Sequence, residues 1–427
     1  MSNVMRILFL SQVVPYPIDA GPKVRSYHVL QYLAAAGHQI TLVTFCRQTD
    51  QPDDISHLRQ LCSAVHTVPI HRSRINDARY LLLSVIRGQP FLIARDWSPA
   101  MARLIRDLGK KTFDVIHADQ LWMAPYALLA RSQATDALTL VLDAHNAVFQ
   151  IPQRMAATSH NPFVRSLLEL EARKLARYEA VTCCRFDRVV TVTQEDQSTL
   201  SNLIATQSAA TSVESQRNRN PRISTIPICI DPVAKAVIPR LPNPHRVTFL
   251  GGLHWPPNAE GILWFAREVW PRVIQQAPAA VLTVIGKNPP SILVQAASTS
   301  TNYDITGYVP DPAPHLSETA AFIVPLHAGG GMRVKIVDAW SWGQPIVSTR
   351  IGSEGLDYQD KENLLIADTA EDFAQSVISL LTAPELANRL GAAGRRTAEE
   401  RYDWRKVYPA WAQVYGCDEG MSTHDSR

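Results

Sequence analysis

The chain has 427 residues, long for one hydrophobic core and comfortable for two domains of about 200 residues each. Its 46% hydrophobic and 19% charged residues are those of an ordinary globular protein, and no apolar run reaches the roughly 18–20 residues of a membrane span. Six cysteines without a C-x-x-C pair argue against a structural zinc or disulfide framework, and the net charge of +3 divides into 27 Lys+Arg against 19 Asp+Glu over residues 1–240 and 15 against 20 beyond. The basic first half admits an anionic surface such as membrane lipid as a partner, while the lack of Lys/Arg blocks interleaved with aromatics excludes nucleic acid.

In chain order, strand-like apolar runs alternate with helical patterns, which predicts parallel α/β sheets. A strand at 6–12 leads into a Pro/Gly-rich loop (Pro15, Pro17, Gly21, Pro22), a helix at 24–36 stopped by Gly37, and a strand at 39–45. Residues 99–108 read as a helix with Ser98 as its N-cap. A strand end at 114–117 and a strand at 138–143 follow, then a long charged helix at 164–186, a strand at 188–193 and a helix at 195–203. Polar, aperiodic residues 207–221 read as a surface loop. A strand at 223–226 precedes the Pro-rich stretch 231–244, the best linker candidate. The second half repeats the wiring: strands at 246–250, 280–285, 321–325 and 345–349, and helices at 259–276, 370–381 and 384–400. The expected division is 1–235 and 236–401, two Rossmann-like domains facing a cleft, with a C-terminal helix at 402–417 packing back on the first. The amphipathic run 80–86, flanked by arginines, reads as a core-facing helix or as a membrane- or acceptor-facing patch. With no signal-peptide core at its start, the chain is expected in the cytoplasm, in part peripheral at the inner membrane face.

The most informative stretch is Leu326-His327-Ala328-Gly329-Gly330-Gly331-Met332-Arg333-Val334-Lys335. Glycines between a strand and a helix let backbone N–H groups approach a ligand, and Arg333 and Lys335 stand where the helix macrodipole favours acids. A local rule broken in this way marks a site awaiting an anion, and a phosphate is the obvious one. Neither a G-x-G-x-x-G nor a G-x-x-x-x-G-K-S/T pattern is present, so the ligand is another class of nucleotide. Asp338 is placed either to pair with Lys335 or to accept ribose hydroxyls, and Glu354 to bind ribose or cap a turn. In the first half, Gly21 lets its loop approach a ligand, and Arg25 reaches a phosphate or acceptor or is simply solvated. His117 and His145 stand at strand ends, where open α/β sheets gather ligands.

The order of these segments resembles family four of the retaining glycosyltransferases, of the GT-B fold, over nearly the whole chain. The resemblance rests on Met5-Arg6-Ile7-Leu8-Phe9-Leu10, Gly21 and Arg25, Ala36-Gly37-His38, Asp114-Val115-Ile116-His117-Ala118, Asp143-Ala144-His145-Asn146, and Tyr178-Glu179 before Asp187. In the second half it rests on Phe249-Leu250-Gly251-Gly252, the glycine loop with its helix, Gly343-Gln344-Pro345 and Gly352-Ser353-Glu354-Gly355. Of the two glutamates usual eight positions apart, the first position is Gly330 and the second Asp338; the usual Arg and Lys fall at Gly252 and near Asn258. A glycine-rich, exopolysaccharide-type subgroup is similar in carrying Arg and Lys in the helix instead.

The resemblance implies metal-independent transfer of a sugar, with retention, from a nucleotide-diphosphate sugar to a glycan or lipid-linked acceptor. Arg333, Lys335 and the N–H groups of Gly329, Gly330, Gly331 and Met332 would stabilise the departing diphosphate, and His117 would contact the sugar. Asp338, Glu354 and Gly21 would bind the donor, and Arg25 and His145 the substrates. No separate cofactor and no metal are expected. The competing readings are a catalytically inactive GT-B-like scaffold, supported by Gly330, and a sugar-nucleotide epimerase.

Overall fold

The computed structural model describes residues 4–416 apart from 19–20, 72, 74–76, 78–79, 83, 85, 87, 135–137, 160, 211–220 and 243. The chain divides into two compact units, residues 1–229 with 407–427, and residues 230–406. Each is built on a parallel sheet.

In the first unit the sheet comprises β1 (Arg6–Ser11), β2 (Gln39–Cys46), β3 (Ala64–Pro69), β4 (Val115–Asp119), β5 (Thr139–Asp143), β6 (Arg188–Thr191) and β7 (Arg222–Thr225), in the order β3-β2-β1-β4-β5-β6-β7. Ile7, Leu8, Phe9 and Leu10 are all buried, the continuous apolar run of a strand covered on both faces. Helix Pro99–Gly109 starts as its residues dictate: Ser98 accepts a hydrogen bond from the Met101 N–H, and Pro99 fills the first turn.

The second unit carries β8 (Arg246–Leu250), β9 (Val281–Ile285), β10 (Tyr303–Gly307), β11 (Thr319–Val324), β12 (Ile346–Ser348) and β13 (Leu365–Ile366), ordered β10-β9-β8-β11-β12-β13. Both sheets reverse strand order once. The reversal falls between β1 and β4 in one and between β8 and β11 in the other, and crevices for ligands open at the C-terminal ends of such strand pairs.

Several expectations are corrected. Gly21 and Pro22 are not loop but the first turn of helix Gly21–Ala35, a position that suits proline's fixed φ. Residues 207–210 continue helix Gln194–Ala210 rather than opening a loop, and the rest of that loop, 211–220, lies outside the described residues. The helix expected at 259–276 is broken into Pro256–Trp264 and Trp270–Gln276 by a π-helical turn, Phe265–Val269, closed by the Trp270 N–H on the Phe265 carbonyl. Pro271, which has no N–H to give, sits just beyond this widened turn. The C-terminal segment is not one helix: Trp404–Val407, a 3-10 turn at Tyr408–Ala410 and Trp411–Tyr415 follow one another. No helix among the described residues is long and apolar enough to cross a membrane.

Candidate active site

In the second unit, β8 is followed by Gly251-Gly252 and β11 by Pro325 and the glycine loop, so both segments border the switch point. Gly329 and Gly331 adopt φ of 131° and 70°, conformations that exclude most side chains. The loop is held close to helix Pro256–Trp264 because Gly261 has no side chain: a Cβ there would lie 2.3 Å from the Pro325 carbonyl oxygen. Backbone cannot yield as a flexible side chain can, so Gly261→Ala is expected to destabilise the second unit by about 1–3 kcal/mol, read by denaturant unfolding.

The helix following the loop is Val334–Ser341, and Arg333 occupies its N-cap position. Arg333 is buried, and its Nη1 donates to the carbonyls of Gly330 at 2.7 Å and Gly331 at 2.6 Å. Nη2 donates to the Ile351 carbonyl at 3.3 Å and stands 3.8 Å from Glu354. The guanidinium thus staples the loop shut on its carbonyl side. No hydrogen bond among the described residues uses the N–H groups of Gly330, Gly331 or Met332.

Lys335 reaches the other border of the crevice. Its Nζ donates to Asn258 Oδ1 at 2.8 Å, and Asn258 Nδ2 in turn donates to the Gly252 carbonyl at 2.8 Å. The ammonium lies over the Phe249 ring, 4.5 Å from its centre, and a Cβ on Gly251 would sit 2.6 Å from Nζ. Gly251 therefore makes room for the cation. Burial, with Arg333 adding repulsion, pushes the Lys335 amine down to about 7. Asp338 does not pair with Lys335; it takes Lys235 instead.

In the first unit the switch point is bordered by the end of β1 and by Asp119-Gln120 at the end of β4. His117 is not at the strand end but in mid-strand, wholly buried and stacked on Phe9 with ring centres 4.2 Å apart. Its Nδ1 shares a hydrogen bond of 2.8 Å with the Tyr415 hydroxyl. Burial, only partly offset by Asp143 and Asp119, pushes the imidazole down to about 4, so it is neutral at physiological pH. Arg25 is neither solvated nor open to a ligand: it has no exposed surface, its Nε donates to Asp143 Oδ2 at 2.6 Å, and its Nη1 donates to the carbonyls of Ile226 and Pro227 at 2.7 and 3.1 Å. Gly21 opens the same helix, one turn before Arg25.

Asp119 organises the crevice end of this network. Its Oδ2 accepts from Ser11 and Ser26, each at 2.8 Å, and its Oδ1 meets His145 Nε2 at 2.8 Å. Burial alone would raise this carboxyl, but His145 and the hydroxyl donors hold it below its ordinary range. His145 and Gln120 both have left-handed backbones, with φ of 56° and 75°, uncommon for residues with side chains and a mark of functional sites. They meet through Gln120 Nε2 and His145 Nδ1 at 3.4 Å. Ligand atoms of His117, Asp119 and Asp143 lie within 4.8 Å of one another, a spacing a cation can bridge; here the Arg25 guanidinium, the serines and His145 already serve the carboxylates.

The structure thus brings Gly329–Met332, Arg333, Lys335 and Glu354 together in one unit, and Arg25, His117 and His145 in the other. Asp119, Asp143, Gln120 and Asn258 escaped sequence reasoning as site residues. The signal for Asp119 was present: it stands two residues after His117 along a strand, facing the same side.

Two family models match the chain, "Glycosyl transferase 4-like domain" over residues 20–209 and "Glycosyl transferases group 1" over 244–383. Among solved structures, the chain is similar to HepE of Anabaena in complex with UDP and glucose, with 13% identity, a TM-score of 0.64, and coverage of 96% of this chain and 99% of that one. It is also similar to sucrose-phosphate synthase from Thermosynechococcus elongatus, with 16% identity, a TM-score of 0.68, and coverage of 96% and 98%. A Klebsiella pneumoniae relative, described as an uncharacterized 44.6 kDa protein in cps region, is 22% identical over 410 residues, 94% of this chain and 98% of its own. With both family models matched in order and only residues 1–19, 210–243 and 384–427 outside them, the chain belongs to the glycosyltransferases of the GT-B fold.

Proposed function

We propose that this glycosyltransferase moves a sugar, with retention and without a metal or separate cofactor, from a nucleotide-diphosphate sugar to a glycan or lipid-linked acceptor. The observation that carries this reading is the Lys335 ammonium at the end of β8, on the helix that follows a loop whose Gly330, Gly331 and Met332 N–H groups have no partner among the described residues. Transfer leaves negative charge on the departing diphosphate, and preorganised donors of this kind stabilise it more than the ground state, each by about 3 kcal/mol. Similar folds crystallised with UDP and with UDP-glucose support a nucleoside-diphosphate sugar as donor. Arg333 shapes the loop and adds charge, Glu354, 3.8 Å from Arg333, serves the ribose, and His145 with Gln120 presents polar groups to the sugar or acceptor; Asp338, paired with Lys235, is not assigned to the donor. His117 acts from behind, through the Asp143 and Asp119 network. Gly330 in place of an acid leaves a front-face route, in which no protein nucleophile takes part. Exposed Leu82, Ile86 and Phe163 in the basic first unit favour a cytoplasmic protein resting on anionic membrane, where a lipid-linked acceptor is presented.

A thermal-shift screen of nucleotide sugars, followed by NMR of the product, tests this. One donor raises Tm, and its sugar keeps its anomeric configuration in the product; an inverted product contradicts retention, and binding without transfer favours the scaffold reading. A pH series adds a sharper expectation. If only the protonated amine clamps phosphate, donor affinity is flat below pH about 7 and falls about tenfold per unit above it, whereas Lys335→Arg, charged throughout, removes the dependence. Equal slopes in both proteins by calorimetry contradict the role given to Lys335.

A further inference from the structure

β5 passes the chain into a turn at Ala144-His145-Asn146, where His145 is left-handed and the Asn146 N–H bonds back to the Ala144 carbonyl at 2.6 Å. A histidine held in that conformation persists only where its surroundings determine it. The next three backbone N–H groups all donate to the buried side-chain carboxyl groups of two different helices. Ala147 donates to Asp196 Oδ1 at 2.9 Å, Val148 to Glu179 Oε1 at 2.8 Å, and Phe149 to Glu179 Oε2 at 3.1 Å. Glu179 comes from helix Pro162–Cys183 and is 1% exposed; Asp196 comes from the first turn of helix Gln194–Ala210 and is 4% exposed. Asp196 is itself fixed, accepting from Thr193 Oγ1 at 2.7 Å while its own N–H donates back to that oxygen at 3.0 Å.

We propose that Glu179, with Asp196, is a positioning residue: the two side chains clamp the turn after β5 and thereby set the His145 imidazole on Asp119 and Gln120 at the crevice. The inference rests on the reading of His145 as a sugar or acceptor contact. A purely structural role is the natural competitor, because the same N–H groups precede helix Gln150–Thr158 and need acceptors in any case. The two roles differ in what else moves. Glu179→Gln keeps the shape but sets an amide donor against one of the two backbone donors, so a clamp that positions His145 fails at the imidazole, while a mere cap loses only stability.

The test uses the full chain with 15N-labelled histidine. In folded Glu179→Gln the ring signals of His145, assigned by their absence in His145→Ala, shift from their wild-type positions while those of His315 in the other unit stay. Transfer from the nucleotide sugar falls about tenfold to 100-fold with donor KM within about twofold, and the same substitution costs nothing further in a His145→Ala background. Unchanged His145 signals overturn the proposal, as does an equal additional loss in that background. Shifted signals in a protein that transfers no sugar at all uphold the clamp and overturn the transfer reading instead. Should Glu179→Gln fail to fold, Glu179→Asp, which keeps the carboxyl group but withdraws it by one methylene, is read in the same assays with the same expectations.

Discussion

Lys335→Ala and Arg333→Ala should each lower the turnover of nucleotide sugar by at least about tenfold, and by up to about 100-fold. The two losses have different origins. Lys335 brings its charge to the end of β8, where Asn258 and Gly252 hold it in a short hydrogen-bonded chain; removing it takes a cation from the leaving group and leaves the loop standing. Arg333 spends most of its donors on the carbonyls of Gly330, Gly331 and Ile351, so its loss also frees the loop that carries the unused N–H groups. Lys335→Ala should therefore lower kcat and weaken donor binding with the loop intact, and Arg333→Ala should in addition destabilise the second unit. Steady-state kinetics of both variants check this, and near-normal rates in both contradict the clamp.

Arg25→Ala should cost the first unit about 3–5 kcal/mol. Its guanidinium and Asp143 form an ion pair with side-chain exposures of 0% and 1%, and removing the arginine leaves a carboxylate without compensation inside the protein. It also leaves the Ile226 and Pro227 carbonyls without their donor and removes the cation lying 5.3 Å over the Trp411 ring. Denaturant unfolding gives the loss directly. Replacing both partners by apolar residues of similar size, Arg25→Met with Asp143→Leu, should cost markedly less than the single change, because no unpaired charge is then buried. A single-mutant loss below about 1 kcal/mol contradicts the buried-pair account.

Arg25 also shows where sequence reading reaches and where it stops. A lone arginine in a helix reads as solvated or ligand-facing, since arginines are seldom fully buried; its partner Asp143 lies 118 positions away, and no local pattern announces the pair. His117 is displaced for a related reason. Its apolar neighbours Val115 and Ile116 mark a strand, yet the next two residues, Ala118 and Asp119, extend that strand, so the crevice belongs to Asp119 and Gln120. Strands in the sheet interiors were legible because unbroken apolar runs identify them. The edge strands β3 and β10, only partly buried and interrupted by polar residues, and the two-residue β13 offered no such run. The glycine loop stands out as a candidate site in the sequence because its chemistry is local: three glycines and two cations within seven residues, after a strand and before a helix. What the residues alone did not give was the division of labour, in which Arg333 turns inward to the loop and Lys335 outward to the neighbouring strand end.

The most direct test of the central claim is the release of nucleoside diphosphate from a panel of nucleotide sugars, measured with membrane extract as acceptor, for the wild-type chain and for Lys335→Ala at matched pH. The account predicts release from at least one donor by the wild type and a loss of about tenfold or more in the variant. Release that is equal in the two proteins, or binding of donors with release from none, would contradict it.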